Sequence, residues 1–433
     1  MQRLLWTLLA VSLSSPLYAE DWPQWMGPKR DSIWRETGIL EAFPKDGPKV
    51  LWRMPVSGGF AGPAVAAGKV YVSDYVTTDN VKAEVFDRTD FKGKERLLCL
   101  DATTGKEIWK YEYDCKYTVS YPIGPRCTPT VSGGKVYFLG TEGNFACLDA
   151  AKGTVLWAKD FQKEYTTKTA LWGYCSHPLV DGDTVYCVVG GEGSCAVAFN
   201  KDTGKEIWRS LTAEEQGYCP PTMIEAGGKK QLLIWHATSL NSLDPATGKK
   251  YWSVLIQANY KMSIMTPRKS DDLLYVGGEG GKGVMMKLDA DKPDAKEFWR
   301  SKKGESLHPI NMTPFIEGAH MYGVDEKGSL MCVELQTGKR VWQSNEPFDG
   351  KPNAAGTAFI VKNEERFFLF TEKGDLIIAK MSPKGYEQLS KAKIIEPTTT
   401  AFRRDVVWTH PAFANQCIYV RNDKEIVCLS LKK

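Results

Sequence analysis

Leu98-Cys-Leu-Asp-Ala-Thr-Thr-Gly-Lys-Glu-Ile-Trp109 is the stretch whose recurrence decides the fold. Asp101 to Gly105 form a five-residue turn, in which Gly105 can adopt a positive φ without steric cost. The turn lies between an alternating apolar run and a second run that ends in Trp109. Two such runs joined by a glycine-containing turn predict a β-hairpin.

The same hairpin returns down almost the whole chain. The tryptophans that end its other full copies are Trp157, Trp208, Trp252, Trp299 and Trp342. Successive tryptophans are 43 to 51 residues apart, and a strand-opening residue, usually proline, precedes each hairpin with the same period. A period in the forties built from strands alone is typical of propeller blades. The register, with a further copy at 356–378 that lacks the tryptophan, predicts an all-β, eight-bladed β-propeller of four-stranded antiparallel blades.

The two ends of the chain predict how the ring closes. Lys49 to Val56 has the pattern of an outermost strand, with Trp52 in the position of Trp109, but the rest of its blade is missing. The C-terminal run has three strands, the last over 425–431, and stops before a fourth. We therefore expect Val50 to Met54 to pair beside residues 425–431, so that the N- and C-terminal strands share blade eight and leave no open edge.

The chain divides into three parts. Residues 1–19 have a basic start, a short apolar core and a small residue, Ala19, before a cut, which predicts a signal peptide and a periplasmic or secreted protein. Residues 20–48 contain a stretch too rich in Pro and Gly for a helix, and predict an extended segment lying on the propeller. Residues 49–433 then form a single propeller domain, with a surface excursion at 75–96.

Composition narrows the classes of partner. The 433 residues carry a net charge of +4 without long basic runs, so no nucleic-acid partner is indicated. The apolar run of the leader is too short for a membrane span, and we expect a monomer. Four of the eleven cysteines recur at one strand position in separate blades, which favours free, buried thiols over a disulfide framework.

The links that lead into the innermost strands should ring the mouth of the central channel. The ten candidate ligand-binding residues there are Arg126, Trp172, Tyr174, His177, Tyr218, His308, Asn311, Arg404, Trp408 and His410. Aromatic rings with a few polar groups and cations suit a flat or anionic ligand. The alternative interpretation is that these side chains only fill the channel and satisfy backbone groups of the inner strands.

Motifs for catalysis or metal binding are missing from the sequence. The three histidines of this face belong to blades three, six and eight, and no neighbouring Cys or carboxylate motif completes a site, so no metal site is predicted. No Gly-rich phosphate loop, nucleophile elbow or zinc cysteine pair occurs either, and catalytic residues stay unassigned. The repeat tryptophans are expected to pack between neighbouring blades rather than to bind a cofactor.

The repeat unit resembles that of the pyrroloquinoline quinone (PQQ) repeat family, as seen in Val136-Tyr-Phe138, Leu148-Asp-Ala150 and Thr104 to Trp109. The resemblance covers nearly all of the chain after the leader and implies the propeller fold. That family includes periplasmic quinoprotein dehydrogenases and cofactor-free members, such as the lipoprotein scaffold of the outer-membrane β-barrel assembly machinery. Fold alone does not choose between these functions.

Comparison with the dehydrogenases of that family favours the second class. Their alcohol-oxidising members carry two adjacent cysteines, a calcium ion held by Glu, Asn and Asp, and a catalytic Asp, none of which can be matched here. We expect a non-catalytic binding or scaffold protein, without a cofactor, that holds a protein, small-molecule or glycan ligand on the funnel face. The alternative is a PQQ-dependent quinoprotein dehydrogenase with calcium and an atypical site, in which Arg126, Trp172 and Arg404 contact the quinone.

Overall fold

Eight four-stranded antiparallel sheets form a ring, which confirms the predicted β-propeller. The computed structural model describes residues 20–81, 86–302 and 304–433. The signal peptide expected at 1–19 lies outside these residues. Among the described residues, no helix is both long and apolar enough to cross a membrane.

The strands, numbered along the chain, run within each blade from the channel to the outer edge, except that β1 (Val50–Pro55) belongs to the last blade. Blade 1 contains β2 (Ala64–Ala66), β3 (Lys69–Val76), β4 (Thr89–Asp101) and β5 (Glu107–Val119), and blade 2 contains β6 (Thr130–Ser132), β7 (Lys135–Leu139), β8 (Asn144–Asp149) and β9 (Val155–Asp160). Blade 3 contains β10 (Leu179–Asp181), β11 (Thr184–Val188), β12 (Ala196–Asn200) and β13 (Glu206–Ser210). Blade 4 contains β14 (Thr222–Ala226), β15 (Lys229–Trp235), β16 (Ser239–Leu243) and β17 (Lys250–Leu255).

Blades 5 to 8 complete the ring. Blade 5 contains β18 (Arg268–Ser270), β19 (Leu273–Gly278), β20 (Lys282–Leu288) and β21 (Ala295–Arg300), and blade 6 contains β22 (Phe315–Glu317), β23 (His320–Val324), β24 (Leu330–Glu334) and β25 (Arg340–Ser344). Blade 7 contains β26 (Ala358–Asn363), β27 (Arg366–Thr371), β28 (Asp375–Ser382) and β29 (Gly385–Lys393). Blade 8 contains β32 (Ala412–Ala414), β33 (Cys417–Arg421) and β34 (Glu425–Ser430) together with β1. The links hold a helical turn, α1 (Phe161–Glu164), two 3₁₀ turns (Asn259–Lys261 and Glu346–Phe348) and a small hairpin, β30 (Thr399–Ala401) and β31 (Arg404–Val406).

The ring closes as predicted, through the two ends of the chain. β1 lies antiparallel to β34, with Trp52 opposite Cys428 and Pro55 opposite Glu425. Blade 8 therefore takes its outermost strand from the N-terminal part of the propeller and its three inner strands from the C terminus. This pairing gives β34 a partner on its outer side and joins the first and last blades.

The repeated tryptophan and the repeated turn glycine meet between blades, as predicted for the tryptophans. A β-carbon on Gly153 in blade 2 would lie 2.5 Å from the ring of Trp109 in blade 1, so only glycine leaves room for that ring. The Trp109 indole also donates a hydrogen bond to the carbonyl of Ala150 (3.2 Å). The other glycine–tryptophan pairs of this kind are Gly105–Trp52, Gly204–Trp157, Gly248–Trp208 and Gly338–Trp299.

The pairing fails where the turn glycine is missing. The turn of blade 5, residues 289–294, contains no glycine. Trp252, in blade 4, donates instead to Gln231 Oε1 of its own blade (3.0 Å). The glycine is thus required by the ring that rests on it as well as by the left-handed turn.

Residues 20–34, which we call the channel segment, lie inside the ring rather than on its surface. Trp22 exchanges two backbone hydrogen bonds with Val65 of β2 (2.8 and 2.9 Å), and Trp34 N–H donates to the Lys362 carbonyl of β26 (2.8 Å). The Arg30 guanidinium donates to the carbonyls of Pro178 and Pro221, which open blades 3 and 4. Because these partners are innermost strands on different sides of the ring, residues 20–34 fill the channel. Residues 36–43 instead bond to Gln416, Arg366 and Ser390, which lie outside the innermost strands, so the expectation of a segment lying on the propeller is corrected for 20–34 alone.

The excursion expected at 75–96 is shorter than predicted. β3 continues to Val76, and β4 begins at Thr89 and pairs along twelve residues with β5. Residues 89–93 therefore form a two-stranded extension of blade 1 with β5, whereas 94–96 also pair with β3 and include the buried Glu95. All eleven cysteines are free thiols, and ten of them are buried.

Candidate functional site

The funnel cavity is an apolar depression of about 390 Å³ at one end of the channel. The links between blades and the turns between second and third strands supply its walls, because both emerge on the same face of a four-stranded blade. Its volume lies in the range of small-molecule sites, and also suits one or two large side chains of a partner. The channel segment closes its inner end with Trp25.

The floor is a stack of rings. Trp25 lies parallel to His177, with centroids 4.8 Å apart and planes inclined by 17°, and His410 meets Trp25 edge-on at 5.6 Å. His177 Nδ1 accepts the N–H of Thr128 (2.9 Å), which leaves its ring proton on Nε2. Burial lowers the pKa of His410 to about 3, and burial followed by the charge of His410 holds the pKa of His177 well below its ordinary value. Both rings are therefore neutral near pH 7.

The mouth is surrounded by seven large rings, which we call the aromatic rim: Phe86, Tyr121, Trp172, Tyr218, Tyr260, Phe402 and Trp408. Phe86 connects two of its links, with its centroid 4.8 Å from Tyr260 and 5.8 Å from Trp172. Tyr260 is 58% exposed, Phe402 44% and Phe86 43%. These three rings offer apolar surface to solvent at the edge of a cavity, as ligand and partner sites do.

Four members of the rim have a left-handed backbone. The φ angles are +71° at Phe86, +48° at Tyr121, +54° at Tyr260 and +48° at Phe402. Bulky residues rarely adopt this region because the β-carbon crowds the following carbonyl oxygen. Backbone outliers of this kind cluster at ligand sites, where the surrounding structure holds them in place.

One wall carries two carboxylates, Glu279 and Glu326, which we call the acidic wall. Glu326 Oε2 accepts the N–H of Gly280 (2.7 Å), which places the two acids on adjoining turns of blades 5 and 6. Glu279 Oε2 is buried and has no hydrogen-bond partner among the described residues. Burial and, second, the charge of Glu326 raise the pKa of Glu279. Across residues 20–81, 86–302 and 304–433, neither Glu279 nor Glu326 forms an ion pair.

The candidate arginines are already engaged. Arg126 donates to the carbonyls of Ser120, Tyr121 and Gly124 and lies 5.4 Å above the Phe60 ring. Arg404 forms a two-point ion pair with Glu372 (2.9 and 3.0 Å). Each guanidinium holds a link of this protein in shape, which leaves few donors for a bound anion.

Seven of the ten predicted residues meet at the funnel cavity. They are Arg126, Trp172, His177, Tyr218, Asn311, Trp408 and His410. Whether they bind a ligand stays a prediction, but their expected place at the channel mouth agrees with the structure.

The other three do not line the cavity. Tyr174 is buried between blades, where its hydroxyl donates to the Val189 carbonyl (3.0 Å). His308 is fully buried, with Nε2 2.8 Å from Ser301 Oγ, and Arg404 is turned to Glu372. The structure therefore does not place these three at the cavity: Tyr174 and His308 are directed into the protein interior, and Arg404 is held by Glu372.

Sequence reasoning missed Trp25, Phe60, Phe86 and the acidic wall. Trp25 and Phe86 lie outside the repeat register, in the channel segment and in the excursion of blade 1. The acids occupy turns between second and third strands, outside the links that contain the predicted residues. The sequence Gly277-Gly-Glu-Gly280 marks one of these turns.

The lining residues fit PQQ with calcium poorly. Arg126 and Arg404 are engaged as described, so they are poorly placed to pair with the carboxylates of a quinone. Within 20–81, 86–302 and 304–433, no three His, Cys, Asp or Glu side chains are grouped so that they could hold a metal ion. Titration of the protein with PQQ measures directly whether the cofactor binds.

Comparisons with known proteins give a family. The family model described as outer membrane protein assembly factor BamB matches residues 36–118, 93–344 and 236–433. A curated relative with that name, from Shewanella oneidensis, is 24% identical over 224 residues, which cover 49% of this chain and 52% of the relative. The chain therefore matches about half the length of that relative.

Solved structures share the architecture. The crystal structure of BamB from Moraxella catarrhalis covers 88% of this chain and 99% of its own, with a TM-score of 0.58 at 13% identity. Quinohemoprotein alcohol dehydrogenase from Comamonas testosteroni covers 95% of this chain and 80% of its own, with a TM-score of 0.61 at 14% identity. At such identities the likeness shows the fold alone, so function has to be argued from the site.

Proposed function

Because the chain belongs to the family of outer membrane protein assembly factor BamB, we propose that it is a non-catalytic scaffold of the bacterial cell envelope that binds a polypeptide partner on its funnel face. The observation that carries this proposal is the aromatic rim around an apolar cavity with a closed floor. A signal peptide at 1–19 would deliver the chain to the periplasm, where such a partner could be met.

The rim has the properties of a protein-binding surface. Large aromatic side chains supply most of the energy of many interfaces, since each buries a wide apolar area with little loss of rotamer freedom. Tyr260, Phe86 and Phe402 are already held in place by their links and remain exposed. A partner that covers them removes apolar surface from water without having to order the rings first.

A polypeptide also suits the floor. The Trp25 side chain is 4% exposed, and its indole N–H has no hydrogen-bond partner among the described residues. Apolar side chains of a polypeptide can pack on the Trp25 ring where it lines the cavity.

The proposal is tested by site-specific photo-crosslinking in the native host. A photoreactive residue replaces Tyr260 in the rim and, as a control, Leu255, which is 76% exposed at the outer edge of blade 4. We expect a discrete crosslinked protein from position 260 that position 255 does not give. Trp172→Ala, introduced beside the probe at 260, should weaken this product because it removes a neighbouring ring.

Two results would overturn the proposal. Equal crosslinking from both positions would show that the rim is not a preferred surface. Dye-linked alcohol or sugar oxidation by the purified chain with PQQ and calcium would show that the protein is catalytic, as in the alternative prediction. Calorimetry with PQQ and calcium in the same preparation separates weak binding from turnover.

A further inference from the structure

We infer that the acidic wall, together with Tyr260 and Phe86, forms a subsite for a cationic side chain, the Lys or Arg of a polypeptide. The inference rests on the proposed function and names the chemistry of the partner. It starts from a mismatch in the cavity: two carboxylates line an apolar, aromatic space, and neither has an ion-pair partner in the described part of the chain.

The geometry brings acids and rings together. The N–H of Asn259, beside Tyr260, donates to the Glu279 carbonyl (3.1 Å), so the link that carries Tyr260 is fastened to the turn that carries Glu279. Phe86 packs on Tyr260 from the opposite side of the mouth. A carboxylate next to the faces of exposed rings is the arrangement that binds ammonium and guanidinium groups, through charge and cation–π attraction.

The surrounding charges leave this position open. Lys261, the cation nearest in sequence to Tyr260, pairs with Glu214 (2.8 Å). Arg126 belongs to the link before blade 2 and therefore lies on the opposite side of the eight-bladed propeller from the turns of blades 5 and 6. Glu279 forms no ion pair within the described chain, and burial, followed by the like charge of Glu326, disfavours its ionisation until a cation arrives.

A cationic peptide fits better than a free metal ion or a small amine. The described residues offer no third acidic or histidine ligand close to the pair, whereas a long Lys or Arg side chain can lay its methylene stem on the rings and present its head to the carboxylates. One extended segment can thus present its cationic head to the carboxylates and lay its stem on the rings.

The chain contains a matched control. Gly277-Gly-Glu-Gly280 in blade 5 is repeated as Gly190-Gly-Glu-Gly193 in blade 3, at the same turn between second and third strands. Glu279 lines the cavity, whereas Glu192 is exposed outside it. Glu279→Gln and Glu192→Gln each replace a carboxylate within the same four-residue sequence, the first inside the cavity and the second outside it.

The test is selection of a displayed library of random peptides on the full chain, with Trp172→Ala as the counter-selected background. We expect enrichment of peptides that contain Lys or Arg, with affinity that falls as salt rises. Measured singly by calorimetry, such peptides should bind Glu279→Gln about tenfold more weakly, and Glu192→Gln within about twofold of the wild type. Melting curves check that both variants are folded.

The outcomes separate the two proposals. Enriched peptides without a cation, or cationic peptides that bind Glu279→Gln as well as the wild type, overturn the subsite and leave the proposed function standing. Absence of enrichment over the Trp172→Ala background also overturns the subsite, and photo-crosslinking from Tyr260 then decides by itself whether a partner binds this face.

Discussion

Replacing Gly153 by alanine should destabilise the ring more than the same change at another left-handed glycine. Gly153 has φ +71°, and an added β-carbon would lie 2.5 Å from the Trp109 ring of the neighbouring blade. Gly182 has φ +58° with no atom within 4 Å of such a carbon. Both variants lose about 1–2 kcal/mol because alanine resists the left-handed region. Gly153→Ala loses a further 1–3 kcal/mol, roughly, because Trp109 must move.

A double-mutant cycle isolates the contact. Trp109→Ala alone should cost about 3–5 kcal/mol, since the ring is buried between blades. In that background the added carbon of Gly153→Ala meets no ring, so its cost should fall to that of Gly182→Ala. Denaturant unfolding followed by circular dichroism measures all four proteins. Equal costs for Gly153→Ala and Gly182→Ala, or no relief from Trp109→Ala, would refute the inter-blade role of the pair.

The remaining predictions concern ring closure and acid stability. Deleting residues 49–56 removes the strand that pairs with Glu425–Ser430, so solubility or melting temperature should fall sharply, and an unchanged melting profile would contradict the closure. His177 and His410 are held neutral, with folded-state pKa values below that of the unfolded chain, so unfolding takes up protons. Their stabilising effect is complete above about pH 6.5 and decreases below it, by up to roughly 1.4 kcal/mol per pH unit for each ring. The free energy of unfolding, measured with denaturant at pH 7 and pH 5, should fall between the two pH values, and it should fall less for His410→Asn. An equal fall in the wild type and in His410→Asn would contradict the prediction.

The repeat made the fold predictable because one physical requirement recurs in most blades. The turn from Asp101 to Gly105 needs a left-handed residue at its end, and the ring that rests on that glycine is a tryptophan from the blade before. Both residues are therefore visible in the sequence, at a spacing that only a blade produces. The closing strand was predictable for the same reason, since Trp52 occupies the repeat position and rests on Gly105.

The site was less predictable because its residues do not follow the repeat. Trp25 reaches the floor from the channel segment, and Phe86 reaches the mouth from the excursion of blade 1. Neither position has a counterpart in another blade that could reveal its direction. Tyr174 and His308 lie in links of the expected kind, but whether a link residue faces the channel depends on local backbone angles, which the sequence pattern does not record.

The conformation of the mouth is itself an argument for binding. Phe86, Tyr260 and Phe402 combine a left-handed backbone with rings that are 43–58% exposed. Such backbone strain costs of order 1–3 kcal/mol for each residue, and a ring left this exposed recovers only part of the gain of burial. Folding alone gives no reason to hold large apolar rings in this way, whereas a partner that covers them recovers the missing burial. The contacts between blades lie towards the outer edge and hold the propeller together, so the strained residues at the mouth do not prevent folding.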